Sequence, residues 1–238
     1  MSFLDQLIPH LPALVVAFPL LAAFLTPLID KISAKARNSF VLIMLGITTV
    51  FVLLLSSNVL ENGIMTYVFG SQSATVAGST VIRILFEVDA LSVFMALITI
   101  VLALVAALYS WSYMEDNTGL GKYYTLLLLM TTGMLGMVLT GDMFNFFVFL
   151  EITSIASCAL IAFWTNKAKS VEAGFKYIVI STIGALFVLL AIALLYGQYD
   201  ALNIAKLADS ITFSFLDKIA LVLLLAALAM KGGIVPMH

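Results

Sequence analysis

Long apolar runs, separated by short polar stretches, set the pattern of this chain. Seven stand out, at approximately 11–29, 40–60, 90–112, 123–141, 143–164, 172–197 and 215–237. At about 1.5 Å per residue each can cover a hydrocarbon core of about 30 Å. The pattern therefore predicts an all-α membrane protein, with about seven transmembrane helices in one membrane domain over residues 1–238. Asp89, just ahead of Ala90-Leu91-Ser92, is a candidate N-cap for the third helix. Only Gly141-Asp142 separates the fourth run from the fifth, which makes them a tight antiparallel pair. The longest polar stretch, residues 61–88, contains Gly63, Gly70 and Gly78 and the β-favouring run Val81-Ile82-Arg83-Ile84-Leu85-Phe86. It reads as a short hairpin lying over one membrane face.

Composition narrows the surroundings and the chemistry. The chain is 63% hydrophobic and 10% charged, against roughly 25% charged for soluble domains. A soluble fold of this length could not hide that much apolar surface, so the bilayer is the expected solvent. Net charge is −2, which leaves no basic footprint for nucleic acid. Cys158 is the sole cysteine, and His10 and His238 are the only histidines. No disulfide, metal or redox cofactor is expected within the chain, and any redox chemistry of a larger assembly would belong to a partner. No basic region precedes the first apolar run, so that helix is expected to be retained and not cleaved as a signal. Lys31, Lys35 and Arg37 lie between runs one and two, Lys122 between three and four, and Lys167 and Lys169 between five and six. The alternate connections hold only Arg83, Lys206 and Lys218. Positive charge favours the cytoplasmic side, which places the N-terminus outside.

Two ionisable side chains interrupt the apolar runs. Glu151 is nine residues past Asp142, about 14 Å along a helix and close to the midplane. A bare carboxylate there is costly, so it must be protonated, paired or wetted. Ser154 and Cys158 share its helical face. It reads either as an ion carrier or as a structural hydrogen bond between helices. Lys231 follows twelve uncharged residues, Ile219 to Met230. Gly232, Gly233 and Pro236 come next and should break the helix directly beyond it. Broken helices at membrane depth are how transporters expose backbone to ions; a lysine snorkelling from a helix end is the other reading. Lys176, at the start of the sixth run, is either a second transfer site or a positive-inside anchor. His238 is a candidate proton relay. Asp142 reads as a cap, His10 as an interfacial residue and Cys158 as a packing residue. The pair Gly133 and Gly136 could tighten packing of the fourth helix.

These residues carry a resemblance. Val88-Asp89-Ala90-Leu91-Ser92, Gly141-Asp142-Met143-Phe144-Asn145-Phe146-Phe147-Val148-Phe149-Leu150-Glu151, Gly174-Phe175-Lys176-Tyr177-Ile178-Val179-Ile180 and Lys231-Gly232-Gly233-Ile234-Val235-Pro236-Met237-His238 resemble stretches of the antiporter-like subunits. That superfamily comprises the proton-pumping membrane subunits of complex I, the large subunits of Mrp-type Na⁺/H⁺ antiporters and their counterparts in membrane-bound hydrogenases. The wording around Asn145 and Lys176 is nearer the Mrp D subunit and the hydrogenase versions. Its members are built from two inverted repeats, and the chain resembles the N-terminal half, a first half-channel repeat that is incomplete at the lysine motif. The resemblance implies that Glu151 and Lys231 form the proton-transferring pair of that half-channel. It implies translocation of H⁺, or of H⁺ exchanged for Na⁺, within a multi-subunit complex in the cytoplasmic membrane whose other membrane subunits are its partners. The alternative is a non-conducting scaffold paralogue in the membrane arm of such a complex.

Overall fold

The computed structural model describes residues 6–69, 84–114 and 119–235. A single 3-10 turn, Ile8–His10, leads into helix α1, Leu11–Asp30. Then come α2 (Ala34–Asn62), strands β1 (Met65–Val68) and β2 (Leu85–Val88), and helices α3 (Ala90–Tyr113), α4 (Leu120–Leu139) and α5 (Met143–Ile161). The long α6 (Ala168–Tyr199), the short α7 (Ile204–Ser210) and α8 (Phe215–Lys231) complete the described chain. The protein is an all-α membrane protein: six helices, α1 to α6, are long and apolar enough to cross a bilayer. The seventh expected span is α8, which has 17 residues.

Side-chain oxygens of serine, aspartate and asparagine start several of these helices. Ser33, Asp89, Asp142, Asn203 and Ser214 each accept a hydrogen bond from a backbone amide of the following first turn, which satisfies a donor that has no intrahelical acceptor. Capped by Ser33, α2 begins at Ala34, six residues ahead of the apolar run at 40, and Asn203 caps α7, a helix too short and polar to show in the pattern. At the other end of the chain, α8 stops at Lys231 and does not continue to 237. Gly233 takes a left-handed φ of 62°. Its amide bonds the Met230 carbonyl at 3.3 Å, and the Ile234 amide bonds that of Ala229 at 2.9 Å. This is the paired pattern of a Schellman stop. The expected break beyond the lysine is thus made by the two glycines; Pro236 and His238 lie outside the described residues.

Helices α1 to α4 close a ring, with α1 against α2 and α4, and α3 against α2 and α4. From α4 the packing runs outward in series, α5 on α4, α6 on α5 and α8 on α6. Gly133 and Gly136 of α4 permit the close approach of α5: a Cβ at Gly133 would stand 2.9 Å from the Thr153 amide nitrogen, and one at Gly136 would run into the Phe149 ring. The ring has its own core, including Leu11, Leu45, Ile100 and Leu128, separate from the smaller clusters among α5, α6 and α8.

The hairpin expected between the second and third helices is present, with Met65 opposite Val88 and Val68 opposite Leu85. Of the run expected as its second strand, Val81 to Arg83 lie outside the described residues. Phe86 and Val88 point into the ring core and so cover one end of the ring. The same face gathers the other short connections. The Gly141 amide donates to Leu85 at 3.0 Å, its carbonyl accepts from Ile204 at 3.0 Å, and the Met143 amide donates to Leu202 at 2.9 Å. Non-helical backbone near a membrane needs such internal partners.

At the opposite end the lysine-bearing connections meet. Arg37, counted from sequence among loop charges, instead lies in the first turn of α2 and is 5% exposed. Its guanidinium bonds Asp30 at 2.5 Å and Asn38 at 2.9 Å, and sits over the Tyr124 ring. A cation buried this way is costly once its carboxylate is removed. Asp30→Ala should therefore lower unfolding stability by about 2–3 kcal/mol, read by thermal unfolding in detergent; an unchanged transition would mean that the Arg37 charge is satisfied without Asp30.

Candidate functional site

Three helices bring four polar side chains to one point in the outer series. Glu151 is the ninth residue of the 19-residue α5, at its middle. Ser154 is one turn further along the same helix and buried. Ser181 lies on the buried face of α6, and Lys231 is the last residue of α8. The Lys231 amine donates to Ser181 Oγ at 2.6 Å and to Ser154 Oγ. Glu151 Oε1 stands 3.8 Å from Nζ, an ion pair beyond hydrogen-bonding reach. The Lys231 side chain is 11% exposed and that of Glu151 31%. Glu151 Oε1 is itself buried and accepts no hydrogen bond among the described residues. At this separation the Coulomb attraction is about 4 kcal/mol for an effective dielectric of about 20, set against the desolvation of both charges.

The geometry depends on α6 standing between α5 and α8. A Cβ added to Gly184, one turn past Ser181, would meet the Ala227 carbonyl and Met230 Cβ, each at 3.5 Å, and Lys231 Cε at 3.9 Å. The absence of a side chain at Gly184 lets the end of α8 lie against α6. From there the four-carbon stem of Lys231 reaches past Ser181 to α5.

The other sequence candidates have different surroundings. Gly232 and Gly233 form the helix stop beyond Lys231 described above. Lys176 is exposed on α6 and bonds Glu172, one turn earlier, at 2.5 Å; the structure does not bring it to Lys231. Asp142 caps α5, its Oδ1 accepting from the Asn145 amide at 2.8 Å. Burial pushes the Asp142 carboxyl above the usual carboxylate range, with the Asn145 and Phe144 amides pulling it back. Cys158 Sγ points to the Gly174 carbonyl at 3.4 Å, where α5 and α6 pack closely. His10 meets Tyr67 of the hairpin edge-on. Among the described residues no three His, Cys, Asp or Glu side chains are grouped so as to hold a metal ion. Ser181 is the site residue that sequence reading passed over. Its signal is a hydroxyl three residues before Gly184 in an apolar helix, a small-residue face of the kind that admits a neighbouring helix.

A family model described as NADH:quinone oxidoreductase/Mrp antiporter, TM, matches residues 140–238, the stretch that carries all four of these side chains. A second, described as NADH-Ubiquinone oxidoreductase (complex I), chain 5 N-terminus, matches residues 75–124. The chain belongs to the antiporter-like superfamily of complex I and Mrp membrane subunits. NADH-quinone oxidoreductase subunit N of Desulforudis audaxviator is 32% identical over 96% of this chain and 45% of its own length. F(420)H(2) dehydrogenase subunit N of Methanosarcina mazei is 32% identical over 64% of this chain and 31% of its own. Among solved structures, a chain of the membrane-bound sulfane sulfur reductase, an archaeal respiratory membrane complex, superposes with a TM-score of 0.87 at 29% identity, covering 96% of this chain and 46% of that one. A chain of the Mrp complex from Dietzia sp. DQ12-45-1b gives 0.80 at 28% identity, covering 98% and 42%. Several antiporter-like relatives align over nearly the whole of this chain, and it spans about half of their length.

Close contact at Gly184 should be selective for size. Gly184→Ala should leave stability unchanged, since its methyl would sit at ordinary contact distance. Gly184→Leu should cost about 1–3 kcal/mol by levering α8 from α6, measured by thermal unfolding in detergent. Equal stability of the two variants would contradict the packing described.

Proposed function

We propose that this chain moves protons, or protons exchanged for sodium, as an antiporter-like subunit of a multi-subunit energy-converting complex in the cytoplasmic membrane. One observation carries the proposal: a lysine amine at the last residue of α8 is held beside a carboxylate at the middle of α5, with two hydroxyls on the amine and, among the described residues, none on the facing carboxylate oxygen. Such an amine can trade a proton without a cofactor. When Lys231 and Glu151 close on each other, each stabilises the charged form of the other; when they part, the lysine releases its proton more readily. The 3.8 Å gap is small enough for a rotamer change or a slight shift of α8 to close it.

Relatives that align over most of this chain support the same reading, since their names place them in respiratory and antiporter complexes. Other membrane subunits are then the partners. The gathering of Lys31 and Lys167 on connections, and of Lys35, Lys122 and Lys169 in the first turns of α2, α4 and α6, at one end supports an orientation with that end cytoplasmic and the N-terminus outside. Lys176, on the exposed side of α6 with Glu172, serves in this reading either as a further transfer group toward a neighbour or as an anchor.

In the native complex, Glu151→Gln and Lys231→Ala should each lower coupled ion transport by about 100-fold or more while assembly persists. The measurement is ion uptake into vesicles, normalised to the amount of assembled complex. Undiminished transport in either variant would sink the proposal.

A further inference from the structure

The two serines that hold Lys231 are not equivalent. Ser154 Oγ donates its proton to the Leu150 carbonyl of its own helix at 2.6 Å. Its lone pairs remain for the lysine, so in this arrangement it accepts only. Ser181 Oγ accepts from Lys231 at 2.6 Å, and among the described residues its hydroxyl proton has no acceptor. A hydroxyl that accepts on one side and is free to donate on the other can pass a proton through. Both residues are more than nine-tenths buried, Ser154 at 8% and Ser181 at 5% exposure. Two hydroxyls of the same chemistry therefore face one amine in different states, and the difference lies in whether the helix carbonyl one turn back has claimed the proton.

We propose that Ser154 is a fixed anchor for the Lys231 amine and that Ser181 is the relay hydroxyl through which Lys231 exchanges its proton. The inference rests on the translocation reading and adds the route to it. In the step, an N–H bond of the Lys231 ammonium breaks as an O–H bond to Ser181 Oγ forms. The original Ser181 O–H bond breaks as that proton goes to a water molecule on its donating side. Lysine is left neutral, serine stays neutral with its proton replaced, and the positive charge moves to the water. Rotation of the hydroxyl resets the relay. Ser154 cannot perform this step without first giving up its bond to Leu150. By holding the amine off Glu151, it keeps the ammonium available to Ser181. The placement on three helices fits this division: the anchor shares α5 with the carboxylate, and the relay sits on α6, the helix against which the lysine-bearing end of α8 is packed.

The test compares threonine with valine at each position, since these two share a shape and differ in the hydroxyl. Ser181→Thr, Ser181→Val, Ser154→Thr and Ser154→Val are assayed in the native complex by proton uptake into vesicles, per assembled complex. At position 181 the valine variant should transport at least about tenfold more slowly than the threonine variant. At position 154 valine removes an anchoring acceptor of the amine, so transport should slow there too, but by a smaller factor of about threefold. Equal rates for Thr and Val at 181, or an equally large gap at 154, would overturn the assignment. Lys231→Ala and Glu151→Gln run alongside. If they abolish transport while the 181 pair is indistinguishable, only the relay falls; if they too transport normally, the translocation reading falls with it.

Discussion

An amine at mid-membrane has to find its partners within the protein, because the surrounding lipid offers none. That constraint on Lys231 organises the outer half of the structure. Its three donors can be satisfied only if hydroxyls and a carboxylate arrive from other helices. Ser154 and Glu151 come one turn apart on α5, and Ser181 comes from α6. The amine must also reach them, which requires α8 to end at the right depth and to lie tightly on α6. The glycine stop at Gly232 and Gly233 supplies the first condition, and the bare backbone of Gly184 supplies the second. Neither glycine feature touches the charges, yet each is needed for them to meet.

The ring of α1 to α4 has a different part. Its core is apolar and closed by the hairpin at one end, with buried Arg37 paired to the half-exposed Asp30 at the other. It gives α5 a firm wall: the small faces at Gly133 and Gly136 let α5 seat against α4 with Thr153 and Phe149, leaving the opposite side of α5, with Ser154, toward α6 and α8. The connections on the hairpin side are stitched by backbone hydrogen bonds around Gly141, which fixes where α5 begins and hence the depth of Glu151. Membership in the antiporter-like superfamily agrees with this division, since the matched family region runs from that seam through to the lysine.

Much of this was legible in the sequence. Hydropathy located the six long helices α1 to α6 and the start of α8, because a bilayer imposes length and apolarity more strictly than a soluble core does. Glu151 and Lys231 stood out for the same reason, as charges where the pattern allows few. The caps Asp89 and Asp142 followed from their position ahead of apolar runs. Less visible were features that depend on which helix neighbours which. Ser181 is unremarkable among many membrane-helix hydroxyls until α8 is known to lie against it. Arg37 reads as a loop charge until α2 is seen to begin at Ala34 and turn it onto Tyr124. The end of α8 was foreseen in kind, but the glycines stop the helix before the proline is reached, since a left-handed residue at Gly233 ends it without further help.

The central claim is that Glu151 and Lys231 act on each other across α6, and energetic coupling tests it most directly. A double-mutant cycle on thermal stability of the detergent-purified chain, with Glu151→Gln, Lys231→Met and the two combined, isolates that term from the packing around it. The account predicts a coupling of about 1 kcal/mol or more, with the double variant losing clearly less than the sum of the single losses. Additive losses would contradict it and leave two unrelated buried charges.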